Sequence, residues 1–331
     1  MSSRADERTV GELSEAAVLA RILERIGPSR ALVGPGDDAA VVSAPDGRVV
    51  ATTDTLVHGP DFRLAWSNGF DLGWKAAAVN LADIAGMGAR PTALLVALAM
   101  PGSTTVAFVE RFAEGLCAAC EALAPGCTIE GGDLTVSNTL TIAVTALGSL
   151  DGRQPVLRGG ARAGDVIAVA GALGLAGRGL GILFDRFRDA SGEAVPVDAD
   201  LLDDAERDAL RAQLAPTPPI ALGPVAADAG ATALMDVSDG LLLDASRMAA
   251  ASEVSIGIDF AALGPDPQTA LTGGEDHALL AAFPDSDPLP SGFRAIGRVL
   301  PAGPHRVLVD GRAHDGRAGW DPYRDWDAHR G

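Results

Sequence analysis

Lysine is almost absent from this chain of 331 residues: Lys75 is the only one, and arginine supplies the other basic side chains. A P-loop nucleotide site needs a Gly-Lys-Ser/Thr triplet, because its lysine reaches the phosphates of the bound nucleotide. No such triplet occurs, since Trp74 and Ala76 flank the lysine. The sequence therefore excludes a P-loop, and any triphosphate must be bound without a Walker lysine.

Basic charge is scarce in general. The chain has 44 acidic and 26 basic residues, which gives a formal net charge of -18. A nucleic-acid groove needs a basic stripe, and an anionic membrane surface attracts basic segments. The charge balance therefore predicts no nucleic-acid partner and no membrane partner, and it leaves room for metal cations.

Cysteines and long apolar runs are also few. Three cysteines, at positions 117, 120 and 127, do not make a disulfide framework. Cys117 and Cys120 form a C-x-x-C, but they lie inside an apolar helical pattern, so core packing is predicted rather than redox chemistry. Apolar runs such as 92–100 have the length of a strand and are too short to cross a bilayer. No apolar segment follows a basic start at the N-terminus, so we expect no secretory signal and a cytoplasmic location.

Apolar periodicity predicts a chain of two mixed halves. A turn-rich segment around residues 150–160 places the boundary, giving domains 1–152 and 153–331. A period of 3.6 residues predicts helices at 12–26, 71–87, 104–123 and 241–251. Short apolar runs predict strands at 39–43, 48–53, 92–100, 139–148, 165–170, 233–236, 255–259, 294–299 and 306–309. The mixture indicates an α+β fold.

Six acidic motifs stand beside glycine or at the ends of predicted elements. They are GPGDDAAVV (34–42), TTDTL (52–56), NLADIAGMG (80–88), EGGDLT (130–135), MDVSDGLLLD (235–244) and TGGEDH (272–277). Taken alone, the first motif favours a solvated turn, and Asp239 is equally well explained as a helix N-cap. Six such sites in one acidic chain are harder to explain as independent caps.

Hard oxygen ligands in this number suit Mg²⁺, which binds few carboxylates and keeps waters and substrate phosphates. Magnesium ions between carboxylates and a triphosphate neutralise the charge of a transferred phosphoryl group. They would therefore take over the part that a Walker lysine plays in other enzymes.

In this order and spacing, the motifs resemble the thiamine-monophosphate kinases, a family of the superfamily named for aminoimidazole ribonucleotide synthetase. The resemblance covers roughly residues 12–325. It implies a two-domain fold of that superfamily: an N-terminal α/β domain that dimerises into a β-barrel, and a C-terminal α+β domain. It further implies a homodimer that phosphorylates thiamine monophosphate to thiamine diphosphate with ATP and Mg²⁺, by direct in-line transfer in a cleft between the domains.

The resemblance also implies a role for each matching residue. The implied magnesium ligands, with their close neighbour Thr52, are Asp37, Thr52, Thr53, Asp54, Asp83, Asp133, Asp236 and Asp239. Among them, the implied catalytic carboxylates are Asp37, Asp54 and Asp239. The positions that match ATP contacts are Gly132, Asp133, Arg158 and Ser238. The implied substrate positions are Asp61, Glu275 and Trp320, where an anion and an aromatic face would hold a cationic thiazolium.

Four positions depart from the family's pattern. Asp61 stands where the family usually has a histidine, and His277 where a tyrosine is expected. Val136 and Pro219 stand where arginines are common. None is an implied magnesium ligand, but all bear on substrate recognition or phosphate contacts. A kinase with a shifted substrate preference is therefore the main alternative.

Other functions are less well supported. Within the superfamily, selenophosphate synthetase would need a reactive cysteine or selenocysteine near the N-terminus, whereas the first cysteine here is Cys117. The hydrogenase-maturation member would need a C-terminal cysteine, whereas this sequence ends in His329-Arg330-Gly331. Aminoimidazole ribonucleotide synthetase itself has no support from the GGED and Trp320 region. A hydride-transfer enzyme would need G-x-G-x-x-G, which the glycines of 169–181 do not form. A non-catalytic nucleotide- or metal-binding regulator would be favoured by missing magnesium ligands, and none is missing.

Overall fold

The structure is a computed structural model that describes residues 8–33, 40, 42–314, 316 and 318–320. The implied ligand Asp37 and its neighbour Asp38 lie outside the described residues. Among the described residues, no helix combines the length and the apolar character that a bilayer crossing needs.

In the described part of the N-terminal half, a four-stranded sheet packs with three α-helices. In chain order the elements are α1 (Glu15–Ile26), β1 (Val50–Val57), α2 (Gly69–Gly86), β2 (Arg90–Met100), α3 (Val106–Leu123), β3 (Thr128–Val136) and β4 (Thr141–Ser149). The strand order is β1-β4-β2-β3, in which β2 and β3 are parallel and the other two pairs are antiparallel. Among the described residues, β1 and β3 are therefore the two edge strands of this sheet.

The C-terminal half contains a six-stranded sheet of order β10-β7-β9-β5-β8-β6 and five helices. Its strands are β5 (Val166–Ala170), β6 (Ala233–Val237), β7 (Ser255–Ile258), β8 (Ala278–Phe283), β9 (Arg294–Leu300) and β10 (Val307–Val309). Its helices are α4 (Leu175–Arg186), α5 (Asp204–Leu214), α6 (Leu222–Asp228), α7 (Leu241–Ala251) and α8 (Pro267–Thr272). β6 and β8 pair antiparallel, so the end of β6 meets the start of β8.

Helix α2 lies between the two halves. Its residues are buried almost all round, as expected for a helix that is apolar on every side. It contacts β1, β2 and β4 of the first sheet, and β6 and β8 of the second. Glycines bring α3 very close: a Cβ at Gly73 would lie 2.0 Å from the Phe112 carbonyl oxygen. One continuous hydrophobic core therefore runs through α2 from Leu94 in the first sheet to Leu234 in the second.

The α+β fold class is confirmed, and several bounds agree closely with the sequence predictions. The helix predicted at 241–251 is α7, with the same bounds. The domain boundary near residue 152 stays a prediction. The strand predicted at 39–43 is wrong where it can be checked, because Val42 and Ser43 belong to no strand. The strand predicted at 48–53 starts and ends later, because the eight residues Val50–Val57 of β1 each pair with a residue of β4.

Candidate active site

Four aspartates meet where α2 joins the two sheets, and we call them the acidic cluster. They are Asp54 on β1, Asp83 on α2, Asp236 on β6 and Asp239 just after β6. Burial and then the Asp236 carboxylate, followed by that of Asp54, raise the pKa of Asp83 to about 7. Burial raises the pKa of Asp54 as well, and the negative charges of Asp236 and Asp239 add to the effect. Such repulsion between like charges marks a place where a cation would be stabilised.

Local structure fixes the N-terminal side of the cluster. Alternation along β1 turns Thr52 and Asp54 toward α2. Thr52 Oγ1 donates a hydrogen bond to Asp83 Oδ2 at 2.7 Å, and the Asp54 amide donates to Asn80 Oδ1 at 3.1 Å. The next residue, Thr53, points to the opposite face, where its hydroxyl donates to the Val144 carbonyl.

A buried carboxylate fixes the C-terminal side. Asp244 on α7 is fully buried, and its Oδ2 accepts hydrogen bonds from the amides of Ser238 at 3.1 Å and Asp239 at 3.0 Å. Arg247 Nη1 lies 2.6 Å from both Asp244 Oδ1 and Asp239 Oδ2. Burial raises the pKa of Asp244 to about 6. Asp244 therefore shapes the turn that carries Asp239.

Asp244 ends the motif 235–244, but the sequence alone assigns no role to it. Its signal was an acidic residue in the first turn of an otherwise apolar helix. Arg247, one turn further along α7, was not singled out at all, because nothing local marks it as a partner of Asp239.

His277 completes this corner of the site. Its Nδ1 lies 3.1 Å from Asp236 Oδ2. Burial alone would lower the pKa of His277, but the Asp236 carboxylate raises it above its usual value. His277 Nε2 is buried and has no hydrogen-bond partner among the described residues. Because buried polar atoms almost always have one, this atom points to a partner outside the described chain.

A cavity of about 580 Å³ opens beside the acidic cluster. It contains all three implied substrate positions and one implied ATP contact: Asp61, Glu275, Trp320 and Ser238. Its walls are mainly apolar and aromatic, and they include Phe62, Trp66, Leu180, Leu183 and Phe184. The Arg63 guanidinium stacks 4.8 Å from the ring centres of both Trp66 and Phe184. A cavity of this size and lining suits a small heteroaromatic ligand.

Two carboxylates stand in this cavity. Asp61 Oδ2 accepts a hydrogen bond from the Val57 amide at 2.7 Å. Glu275 Oε2 lies 2.5 Å from Lys75 Nζ. Desolvation alone would raise the pKa of Glu275, but the Lys75 ammonium lowers it below its usual value. Glu275 is therefore charged over the whole physiological range.

Three implied ATP contacts lie away from the acidic cluster in this chain. Gly132 and Asp133 are on β3, and Asp133 aligns through Ala97 and Ala143 with Thr55 on β1. Three strand spacings separate those edges, or about 14 Å. Gly132 and Asp133 line a second cavity, of about 760 Å³, together with Ala40 and Val42.

Arg158 is the third of these contacts, and it lies near the far end of α7. Its carbonyl accepts a hydrogen bond from Ser252 Oγ at 3.0 Å. Ser252 follows the 11 residues of α7, and a helix of that length spans about 16 Å. Arg158 is thus separated by the length of α7 from Ser238, which precedes that helix.

The four departures from the family's pattern divide into two groups. Asp61 lines the cavity and His277 contacts the acidic cluster, so both lie at the site. Val136, at the end of β3, is 83% exposed. Pro219 packs near Gly171 at the end of β5.

The donor set fits Mg²⁺ that is shared with a polyphosphate. Among the described residues, no three side chains of His, Cys, Asp or Glu stand where they could hold a metal ion by themselves. Mg²⁺ does not require this, because it is usually bound by one or two carboxylates together with phosphate oxygens and waters. A cation bound in this way would relieve the mutual repulsion within the acidic cluster.

Asp83→Asn is expected to raise the stability of the metal-free protein at pH 8 but not at pH 4.5. The pKa of Asp83 is about 7 in the fold and about 4 in an unfolded chain. Wild type therefore loses stability as the pH rises through that interval, and the asparagine variant does not. Thermal unfolding with a chelator should give a Tm higher by about 3 to 6 °C at pH 8. An equal difference in Tm between the variant and wild type at pH 8 and pH 4.5 would contradict the raised pKa of Asp83.

Comparison with known proteins gives a consistent result. Residues 36–150 match the family AIR synthase related protein, N-terminal domain. The chain is 44% identical to thiamine-monophosphate kinase of Mycobacterium tuberculosis, over 96% of this chain and 94% of that protein.

Solved structures agree. Thiamine-monophosphate kinase of Stenotrophomonas maltophilia superposes with a TM-score of 0.74 and 34% identity, covering 90% of this chain and 96% of that one. AaThiL complexed with AMPPCP and TMP superposes with a TM-score of 0.72 and 32% identity, covering 93% and 97%. The predicted aminoimidazole ribonucleotide synthetase-like fold is therefore confirmed.

Proposed function

This chain belongs to the thiamine-monophosphate kinase family, and from that premise we propose that it transfers the γ-phosphoryl group of ATP to thiamine monophosphate. The acceptor is the substrate's own phosphate, which attacks in line and gives thiamine diphosphate and ADP. One observation carries the proposal: the turn 272–277 and the segment 236–239 border both the cavity and the acidic cluster. A ring bound in the cavity therefore has its phosphate near the carboxylates.

The cavity binds the thiamine moiety. The apolar and aromatic walls bury its rings, and the indole of Trp320 offers a face to the cationic thiazolium. Asp61 and Glu275 both line this cavity and supply negative charge to it. Asp61 stands where the family usually has a histidine, so it brings a negative charge to a position where that pattern has none.

The acidic cluster would hold Mg²⁺ beside the substrate phosphates, with Asp37 as a further ligand outside the described residues. When bound, the ion would supply positive charge against the charge that develops on the transferred phosphoryl group. Thr52 orients Asp83, while Arg247 and Asp244 orient Asp239. The Asp236 carboxylate at Nδ1 favours the imidazolium form of His277, and in that form the buried Nε2 would donate a hydrogen bond to a phosphate oxygen.

The ATP contacts are assigned to Gly132, Asp133, Arg158 and Ser238. Gly132 fits close to its neighbouring strand, because a Cβ there would lie 1.9 Å from the Val96 carbonyl oxygen. The proposed location is the cytoplasm, which agrees with free thiols at all three cysteines.

The proposed homodimer uses the open face of the first sheet. Thr53, Thr55 and Ala97 are exposed on the face turned away from α2. Two such faces packed together make a closed barrel, which covers apolar area and removes sheet edges.

Ala97→Arg is expected to convert the dimer into a monomer, because it places a charge at the centre of that face. Sedimentation velocity measures the change, with Ala190→Arg in an exposed turn as the matched control. A wild-type monomer, or an Ala97→Arg dimer, would refute the arrangement.

Turnover tests the function directly. Wild type incubated with ATP, Mg²⁺ and thiamine monophosphate should yield thiamine diphosphate and ADP in equal amounts by chromatography, and Asp239→Ala should yield neither. ATP binding without thiamine diphosphate would overturn the substrate assignment. That result would favour a kinase with a shifted substrate preference, and substitutions at Asp61 and Val136 would be tested first.

A further inference from the structure

We propose that Lys75 is a positioning residue for substrate recognition: it fixes the Glu275 carboxylate in the cavity and ties the cavity to the helix that carries Asp83. The inference rests on the proposed function, since it assigns the substrate's rings to this cavity. It gives a role to the single lysine of the chain, which is not among the implied site residues.

Lys75 joins the two halves of the molecule inside the cavity wall. It lies on α2, and its side chain is only 5% exposed. Its Nζ lies 2.5 Å from Glu275 Oε2 and donates a hydrogen bond to the Gln213 carbonyl on α5 at 3.2 Å. Both partners belong to the C-terminal half. A buried ammonium is stable only with such compensation.

Glu275 is held from two directions. Its backbone adopts φ 71°, in the left-handed region that non-glycine residues seldom occupy. Its amide donates to the Ser238 carbonyl at 2.8 Å, so the backbone is tied to the segment that leads into Asp239. Its side chain is 40% exposed and lines the cavity. Lys75 therefore provides the charged partner that holds this partly exposed carboxylate, and the Gln213 side chain adds a hydrogen bond.

Helix α2 sets the distance between the ring-binding and phosphate-binding parts of the site. Lys75 and Asp83 are eight residues apart on this one helix, which corresponds to about 12 Å along its axis. Because α2 is buried in both halves, that distance cannot change without unpacking the core. The same helix thus positions Glu275 through Lys75 and carries an acidic-cluster carboxylate about two turns later.

A purely structural ion pair is the competing explanation, and a double-mutant cycle separates the two. The variants are Lys75→Met, Glu275→Gln and both together, with Arg90→Met as a control that breaks the ion pair to Asp151 away from the cavity. For each, KM for thiamine monophosphate, KM for ATP, kcat and Tm are measured. Calorimetric titration with thiamine monophosphate in the absence of ATP gives binding directly.

Lys75→Met is expected to raise KM for thiamine monophosphate about 10- to 100-fold, the range for a lost charge-assisted contact. KM for ATP and kcat should change less than about threefold, since the acidic cluster is intact. The double variant should resemble Glu275→Gln alone, because Lys75 acts through Glu275. Arg90→Met should change Tm only.

An unchanged KM for thiamine monophosphate in Lys75→Met, with a lowered Tm, would overturn the inference and leave a structural pair. If that variant cannot be purified, Lys75→Arg carries the test, because it keeps the charge but displaces the carboxylate; its KM should also rise. Wild type that does not turn over thiamine monophosphate would instead refute the proposed function itself. The two failures are therefore distinguishable.

Discussion

Asp236→Asn is expected to lower kcat about a thousandfold, equivalent to about 4 kcal/mol of transition-state stabilisation. Asp236 is the central member of the acidic cluster, because its charge acts on Asp54, Asp83 and Asp244 alike. An asparagine keeps the shape and can still accept a hydrogen bond from His277. What it removes is the negative charge that attracts Mg²⁺ and, through it, the phosphates.

The same substitution should not harm the fold. With one negative charge fewer, the repulsion within the acidic cluster falls, so the metal-free variant is expected to be at least as stable as wild type. Magnesium should raise the Tm of wild type with ADP present and should raise that of Asp236→Asn much less.

Steady-state kinetics checks the expected loss of kcat, and thermal unfolding checks the expected stability. Each is measured with and without Mg²⁺. Asp208→Asn, on the exposed side of α5, is the matched control and should behave as wild type. If Asp236→Asn kept more than about a tenth of wild-type kcat, Asp236 would not act on the transferred phosphoryl group.

Gly274→Ala is expected to lower kcat/KM for thiamine monophosphate by at least about a hundredfold, the effect of moving catalytic groups by about 1 Å. A Cβ at Gly274 would lie 2.3 Å from the Ser238 carbonyl oxygen and 3.2 Å from the Asp239 carbonyl carbon. These are backbone atoms and cannot swing aside. The methyl group therefore pushes the turn that bears Glu275 away from the segment that bears Asp239, so both parts of the site lose their alignment.

Gly181→Ala is the matched control for that substitution. Gly181 lies on α4, and a Cβ there meets no atom within 4 Å. Alanine at this helical position should leave kinetics unchanged and raise the free energy of unfolding by about 0.5 to 1 kcal/mol. Urea unfolding and turnover of both variants make the comparison. Full activity in Gly274→Ala would show that this contact does not align the site.

The sequence carried enough information for the fold class and for the acidic residues that the structure brings together. The motifs that contain Asp54, Asp83, Asp236 and Asp239 can be found in the sequence because each motif includes a glycine or lies at the end of an apolar element. The apolar periodicity of a helix is a local property of the sequence, so the bounds of α7 could be predicted correctly from its own residues. The resemblance then placed Glu275 and Trp320, which line one cavity in the structure.

The rest depends on contacts between distant segments, which no local pattern encodes. Lys75 looks like an ordinary charged residue in an apolar helix until Glu275, 200 residues later, is seen beside it. Strand β8 is apolar at every position, so it has no alternation to separate it from a buried helix. The distance from the acidic cluster to Asp133 follows from the strand order β1-β4-β2-β3, which motif order along the chain does not reveal.

The scarcity of lysine also gives this protein a single bond that a lysine-specific endoprotease can cut, between Lys75 and Ala76. That bond lies in the middle of α2, which is packed on all sides. A protease can bind it only after the helix has opened, and α2 cannot open while the two sheets keep their shared core. The appearance of fragments 1–75 and 76–331 therefore measures how often the whole core comes apart, and bound substrates should slow it.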